Sequence, residues 1–353
     1  MIEKSDFSKI GGDDSVVLPD LTQMLSSYKK PLLAFSAGVD SSALFHLLLE
    51  QGVTFAAALV NYHTREESDA EESGARELCD RFGIEFHVAH APSWSSGFEA
   101  KAREFRYAFF ESLVESHGYD LLLTAHHLND RMEWMLMRLV RGAGVCSLAG
   151  MRKTDERVTE GGREYTLCRP LLECDKKTLL NYLHTNGISY FEDGSNKDFS
   201  YERNRFRSSF SDELIAHYSR GILRSFRYLE RECSVLESMS ETVFSQKDLR
   251  VVRLGSAALA SAAADRALKG LGYCLSASER EVLDGGRSTV AGRKWAIDER
   301  DGYLFISPFL KNIVMSKEFK ERCRRIGIPP KVRPYCFAQS IDIGSIEAVL
   351  KRY

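Results

Sequence analysis

No two of the eight cysteines, at positions 79, 146, 168, 174, 233, 274, 323 and 336, are spaced as C-x-x-C. That argues against a zinc ribbon, a cysteine-ligated iron–sulfur site and a thioredoxin-like pair. Eight cysteines in 353 residues do not make a disulfide scaffold either, so scattered reduced thiols are expected. No apolar stretch reaches the roughly 18 residues that span a bilayer; His46, Glu50 and Gln51 break the longest candidate. The opening MIEKSDFSKIGGDD is polar and carries acids, unlike a signal or transit peptide. A soluble, cytoplasmic protein with no membrane partner is the expectation. Charge of one sign is also lacking: the formal net charge is −2, which taken over the whole chain does not recommend nucleic acid. There is no long internal repeat and no low-complexity tract.

What is present is a chain of two or three domains' length, with ordinary hydrophobic (44%) and charged (28%) content. Charge is unevenly placed. Lys311 to Tyr335 carries eight Lys/Arg (311, 317, 320, 322, 324, 325, 331, 333) against Glu318 and Glu321. A second basic run comprises Arg203, Arg205, Arg207, Arg220, Arg224, Arg227 and Arg231. Each is read either as a solvated face or as a track for a phosphate backbone.

From about Lys30 to Leu172, short apolar runs alternate with amphipathic segments. PLLAFSA, TFAAALVNY, EFHVAHA and DLLLTAHH have the length and continuity of buried parallel strands. The segments between them have helical period and stop at Gly52, Gly83 and Gly118. This predicts an α/β, doubly wound, mostly parallel sheet. In such sheets ligands bind beyond the carboxyl ends of the strands, so the polar residues after each run are the ones to watch. Lys153 to Glu164 reads as a charged loop, Ser211 to about Phe244 as helix, and 256–308 as a small α+β unit with a hairpin turning at Asp301-Gly302. The domain reading is a catalytic domain over 1–210, a helical linker over 211–250 and a C-terminal α+β region over 251–353.

In the turn SAGVDSS, from the first strand into a helix, backbone N–H groups and the helix dipole favour an anion. Gly38 can take a positive φ there, and Ser36, Ser41 and Ser42 add hydroxyl donors. Asp40 would repel a phosphate unless it holds Mg²⁺. Neither the Gly-Lys-Ser/Thr ending of a P-loop nor three spaced glycines is present, and a capped tight turn remains the plain alternative. Asp130 and Glu133, three apart at a helix start, read either as capping groups or as a functional carboxylate pair.

SAGVDSS resembles the SGGxDS pyrophosphate loop of the PP-loop ATPases. The segments after it are similar to those of the tRNA(Ile)-lysidine synthetase family: Asn61-Tyr-His-Thr-Arg65, Glu99-Ala-Lys-Ala-Arg103-Glu-Phe-Arg106-Tyr107, Thr124-Ala-His126-His127-Leu-Asn-Asp130-Arg-Met-Glu133, Arg141-Gly-Ala-Gly144, Arg169-Pro-Leu-Leu172, Asp193-Gly-Ser-Asn196-Lys-Asp198 and Arg203-Asn204-Arg-Phe-Arg207. They keep the family's order over about Leu32 to Arg207.

The resemblance implies an adenine nucleotide α-hydrolase-like fold and a cytoplasmic ligase. That ligase would use ATP, with Mg²⁺ on Asp40, to attach free L-lysine to C2 of the first anticodon cytidine of a tRNA(Ile) bearing CAU. It implies that Ser36, Ala37, Gly38, Val39, Asp40, Ser41 and Ser42 wrap the phosphates with His126 beside them. Asp130 and Glu133 would hold the lysine ammonium, Arg103 and Arg203 would stabilise developing charge, and Arg141, Arg203 and Arg207 would face the tRNA. It also implies a C-terminal tRNA-binding region; a homodimer stays open. The chain departs from the family pattern at Ala37, Tyr62, Arg131, Trp134 and Ser147. Other readings are a PP-loop enzyme that thiolates tRNA, for which the expected cysteine pairs are missing, a PP-loop synthetase of a small metabolite, and a nucleotide sensor without catalysis.

Overall fold

The computed structural model describes residues 18–64, 67–191 and 205–352. They fall into two compact units, 1–137 with 150–224 and 138–149 with 225–353. The first unit holds α1 (Leu21–Leu25), β1 (Pro31–Ala34), α2 (Val39–Glu50), β2 (Ala56–Asn61), α3 (Glu67–Phe82), β3 (Phe86–His90), α4 (Phe98–His117), β4 (Leu121–Leu123) and most of α5 (Leu128–Leu139). After α6 (Val145–Ala149), which belongs to the second unit, it resumes with β5 (Thr154–Val158), β6 (Glu164–Cys168) and α7 (Lys176–Thr185).

The sheet order is β3-β2-β1-β4-β6-β5, all neighbours parallel except the β5–β6 pair. The chain runs outward from β1 through β2 to β3, then returns to β4 on β1's other side. The carboxyl ends of β1 and β4 therefore flank the switch point where the order reverses, which is where such sheets bind ligands.

Strand alternation sorts the core onto two faces. Leu33, Ala57, Leu121 and Leu123 point to one, where they pack with Leu44, Phe45 and Leu48 of α2 and Leu179 and Leu183 of α7. Leu32, Ala56, Ala58 and Leu122 point to the other, against Phe110, Leu113 and Val114 of α4. All of these are essentially buried, which is why their strands read as continuous apolar runs.

Two expectations are corrected here. Lys153 to Glu164 is not a loop throughout: Thr154–Val158 is an edge strand paired antiparallel with β6. Its TDERV sequence carries the charges that edge strands use against further pairing, and that hid it. Helix does not reach Phe244 either. After a π-helical turn at Arg207–Ser211, α8 (Asp212–Ser238) ends, and Ser240–Gln246 is a strand, β7. β7 turns into β8 (Leu249–Leu254) at Lys247-Asp248, where Lys247 has φ 51° in place of the glycine that would have marked a hairpin.

The second unit continues with α9 (Ala260–Lys269), α10 (Ala277–Asp284), β9 (Thr289–Ala291), β10 (Trp295–Arg300), β11 (Tyr303–Pro308), α11 (Lys317–Ile326), α12 (Arg333–Ala338) and α13 (Ile343–Arg352). Its sheet is antiparallel, in the order β7-β8-β11-β10-β9. The β10–β11 hairpin turns at Asp301-Gly302, both at positive φ (54° and 80°), as expected. Among the described residues no helix is long and apolar enough to cross a membrane.

Reduced thiols throughout is a third expectation that does not hold. Cys146 and Cys233 form a disulfide with Cα atoms 5.0 Å apart, a proximity that a separation of 87 residues cannot disclose. Cys79, Cys168, Cys174, Cys323 and Cys336 are buried and not disulfide-bonded.

Asp265 of α9, 3% exposed, joins the 138–149 segment to the rest of this unit. It accepts hydrogen bonds from the Ser147 hydroxyl (2.9 Å) and the Leu275 amide (3.1 Å), and forms ion pairs with Arg280 at 3.0 Å and Lys269 at 3.2 Å. Burial alone would raise its pKa, but Lys269, Arg280 and these N–H and O–H donors outweigh that and lower it. The stability it contributes is thus fully present above the unfolded carboxyl pKa, about 3.9, and is lost as pH falls through the lower folded value. Asp265→Ala is expected to cost about 1–3 kcal/mol in urea denaturation, because it takes the acceptor from the buried Leu275 amide and the ion-pair partner from the partly buried Arg280. The steep loss of stability below about pH 4 should be shallower in that variant.

Candidate active site

β1 is followed by Phe35, whose ring stacks on Phe45 of α2 at 4.9 Å. Residues Ser36 to Ser42 make the turn into α2. The expectation for Gly38 is corrected: it has φ −75° and ψ 172°, extended backbone that any residue adopts, and it is Ala37 that sits at φ 57°. Ala37 thus holds the left-handed conformation without glycine, at a cost of about 1–2 kcal/mol. The surroundings bear that cost. The Ala37 carbonyl accepts the Phe191 amide (3.0 Å) and the Ser42 hydroxyl (3.1 Å), and its methyl group is buried in the core. Ser41 donates to the Gly38 carbonyl (3.2 Å) and its oxygen accepts the Ser36 amide (3.2 Å). Val39 opens the helix, and Asp40 lies in its first turn.

Asp40 faces the start of α5. Its Oδ2 lies 3.5 Å from His127 Nε2, which is 3.4 Å from Asp130 Oδ2. Its Oδ1 is buried and has no hydrogen-bond partner among the described residues. Such an orphaned carboxylate oxygen is costly unless a ligand completes it, and a hard cation suits it. Burial by itself would lower the His127 pKa, but Asp130 and Asp40 outweigh it and raise it. The Asn129 amide donates to His127 Nδ1 (3.2 Å), which turns Nε2 toward the two carboxylates.

The start of α5 is clamped from several sides. Asn129 donates to Asp212 of α8 (2.7 Å) and accepts the Lys176 amide of α7 (3.1 Å), and the Leu128 amide donates to the Cys174 carbonyl (2.8 Å). Asp130 accepts the His127 amide (3.0 Å), so the capping reading is correct for one of its oxygens. Its other oxygen accepts from Arg207 Nη2 (3.1 Å), while Arg207 Nε donates to Glu133 (3.0 Å). The two carboxylates are 6% and 3% exposed. The arrangement is a chain of alternating N–H donors and carboxylate acceptors, Asp40–His127–Asp130–Arg207–Glu133, beyond the carboxyl ends of β1 and β4.

Not every expected residue joins it. His126 is half-buried, with Nδ1 2.9 Å from the Thr124 hydroxyl. Arg103 is exposed on α4 and stacks 5.0 Å from the Tyr107 ring centroid, with Arg157 on the same ring at 4.9 Å; it makes no ion pair with the carboxylates. Arg141 is exposed in the turn before α6, within the second unit. Arg203 lies outside the described residues. Arg207, expected to face RNA, is engaged by the carboxylates.

Sequence reasoning missed His127. Its signal was the doubled histidine of TAHH, with the second histidine three residues before Asp130. It also passed over a cluster beyond β2 and β3. There Asn61, 2% exposed, donates to Asp69 (2.8 Å) and Glu72 (3.0 Å), and His63 stacks on His90. Tyr62, where the family pattern has histidine, bonds the Ala102 carbonyl of α4 (3.3 Å).

Residues 14–214 match a family described as a PP-loop domain. The chain is 43% identical to the tRNA(Ile)-lysidine synthase of Wolinella succinogenes over 323 residues, covering 89% of this chain and 94% of that one. It is 38% identical to the enzyme of the same name from Campylobacter jejuni, covering 90% and 95%. It is 36% identical to that of Helicobacter pylori, covering 88% and 90%.

Proposed function

Given that the chain belongs to the tRNA(Ile)-lysidine synthase family, we propose that it ligates free L-lysine to C2 of the first anticodon cytidine of a CAU-bearing tRNA(Ile). The ligation consumes ATP and releases pyrophosphate and AMP. The observation that carries this reading is the buried Asp130–Glu133 pair beside Asp40 at the switch point of the sheet.

ATP lies with its triphosphate along Ser36–Ser42, at the positive end of α2. The cytidine C2 oxygen attacks the α-phosphorus and pyrophosphate leaves. The lysine amine then attacks C2 and AMP leaves. The side-chain amine of lysine has an ordinary pKa near 10.4, so it must lose a proton before it attacks. Asp130 and Glu133 seat the ammonium, and one of them takes that proton. The orphaned Oδ1 of Asp40 fits Mg²⁺, which when bound offsets the charge of the triphosphate. His127 holds Asp40 and Asp130 at fixed separation.

For the tRNA, the fixed cations of Arg141 and Arg203 and the exposed Lys317, Lys320, Arg322, Arg324 and Arg325 of α11 supply phosphate contacts. The test is incubation with ATP, Mg²⁺, labelled lysine and a CAU transcript. Label is expected in the RNA, dependent on ATP. ATP binding without incorporation overturns the reading, and sulfur-dependent modification replaces it with thiolation.

A further inference from the structure

Arg207 occupies the place that the proposed reaction gives to the substrate. Its Nε and Nη2 lie on one edge of the guanidinium and bridge two different carboxylates, at 3.0 Å to Glu133 and 3.1 Å to Asp130. A cation is needed there, since two adjacent buried carboxylates are costly without one. The guanidinium itself is only partly buried, with 21% of the side chain exposed. The backbone that carries it is pinned. Arg207 opens a single π-helical turn in which the Asp212 amide donates to its carbonyl, and the fully buried Ser211 bonds the same carbonyl at 3.2 Å. Single π turns inside helices are frequent at functional sites. A pinned backbone and a partly exposed head describe a side chain that can leave its seat without moving the helix.

We infer that Arg207 is the internal counter-cation of the lysine seat, and that the substrate ammonium binds by displacing it. This rests on the proposed reading of Asp130 and Glu133 as that seat. Exchange of one monocation for another keeps the buried carboxylates compensated throughout. Addition beside Arg207 would instead crowd two cations in a place of low dielectric. One oxygen of Asp130 is already taken by the His127 amide, so the position between the carboxylates is the one that Arg207 fills. Arg207 is then a specificity-setting residue. A neutral amino acid of lysine's length cannot displace it, because that would remove the cation that bridges the two carboxylates.

Competition by a tethered cation weakens apparent affinity by the fraction of molecules in which the seat is open. Calorimetric titration of L-lysine into the full chain, with Mg²⁺ and a non-hydrolysable ATP analogue, tests this. Arg207→Gln is expected to bind lysine about tenfold more tightly than the unaltered chain or better, and to discriminate less against norleucine. Glu133→Gln should lose lysine binding. Unchanged or weaker binding by Arg207→Gln, with binding lost in Glu133→Gln, overturns the displacement and leaves the seat. Full binding by Glu133→Gln overturns the seat itself. A second measurement uses the unaltered chain and does not depend on how the variant folds. With ¹⁵N-labelled arginine, the Arg207 Nε–Hε resonance should move to a solvent-exposed position as lysine saturates. A resonance that stays in place at saturation also overturns the displacement.

Discussion

Asp40→Asn is expected to abolish pyrophosphate release while the protein stays folded. Asparagine preserves the size of the side chain and a contact to His127, so the packing around α2 is kept. What it removes is the negative charge on a buried oxygen that has no partner among the described residues. An oxygen left bare in the folded chain at that depth is explained by the ligand it receives, and a neutral amide is a poor ligand for a hard cation. Loss of several kcal/mol of charge stabilisation in the adenylation step corresponds to a rate lower by about 10³-fold or more. The cost to stability should be small, about 0.3–1 kcal/mol for one acidic group in the first turn of a helix. Pyrophosphate release from ATP and the CAU transcript, measured without lysine, isolates the step. A variant that keeps its melting temperature and more than a tenth of the rate would show that Asp40 is not the ligand.

Glu133→Gln should separate the two halves of the reaction. Glu133 is 3% exposed, and the proposed reaction gives it a part in seating the lysine amine and none in the attack on the α-phosphorus. Adenylation should therefore continue, with pyrophosphate still released, while transfer to lysine falls. Removing one charge from a desolvated carboxylate–ammonium contact costs about 2–5 kcal/mol, or roughly 30-fold to several thousand-fold in kcat/KM for lysine. Lysine-independent pyrophosphate release against lysine incorporation measures the split. Equal loss of both steps in the Asp40 and Glu133 variants would undo the division of labour between them.

Of the four strands legible in the sequence, β1, β2 and β4 are buried almost throughout and read as apolar runs of strand length, whereas β3 lies at the sheet edge and is only half-buried. The ligand edge followed, since the polar residues after each apolar run lie beyond the carboxyl ends of the strands, whereas the switch point between β1 and β4 emerged only from the observed strand order. Other features were not legible, each for a physical reason. An edge strand such as TDERV is polar by necessity, so nothing separates it from a loop. The left-handed residue of the phosphate turn was assigned to Gly38 on composition, whereas the hydrogen bonds from Phe191 and Ser42 hold Ala37 there instead. His127 was overlooked because what makes it matter is its position between Asp40 and Asp130, and Asp40 is distant in sequence. Arg207 was assigned to the tRNA. Its pairing with two carboxylates more than seventy residues earlier (|i−j| 74 and 77) has no local signature.

The excursion of residues 138–149 into the second unit bears on how this chain can be made and cut. A ribosome delivers that segment long before Asp265, Arg280 and Cys233 exist to receive it, so Ser147 and Cys146 must wait, exposed, through the synthesis of most of the remaining chain. A fragment beginning at Ser225 would possess the antiparallel sheet but lack the piece that satisfies Asp265, and a fragment ending at Arg224 would carry that piece with nowhere to put it. Neither half is a transferable module. Refolding from denaturant should accordingly run slower than two independent domains of these sizes would, since long-range closure precedes completion of the second core.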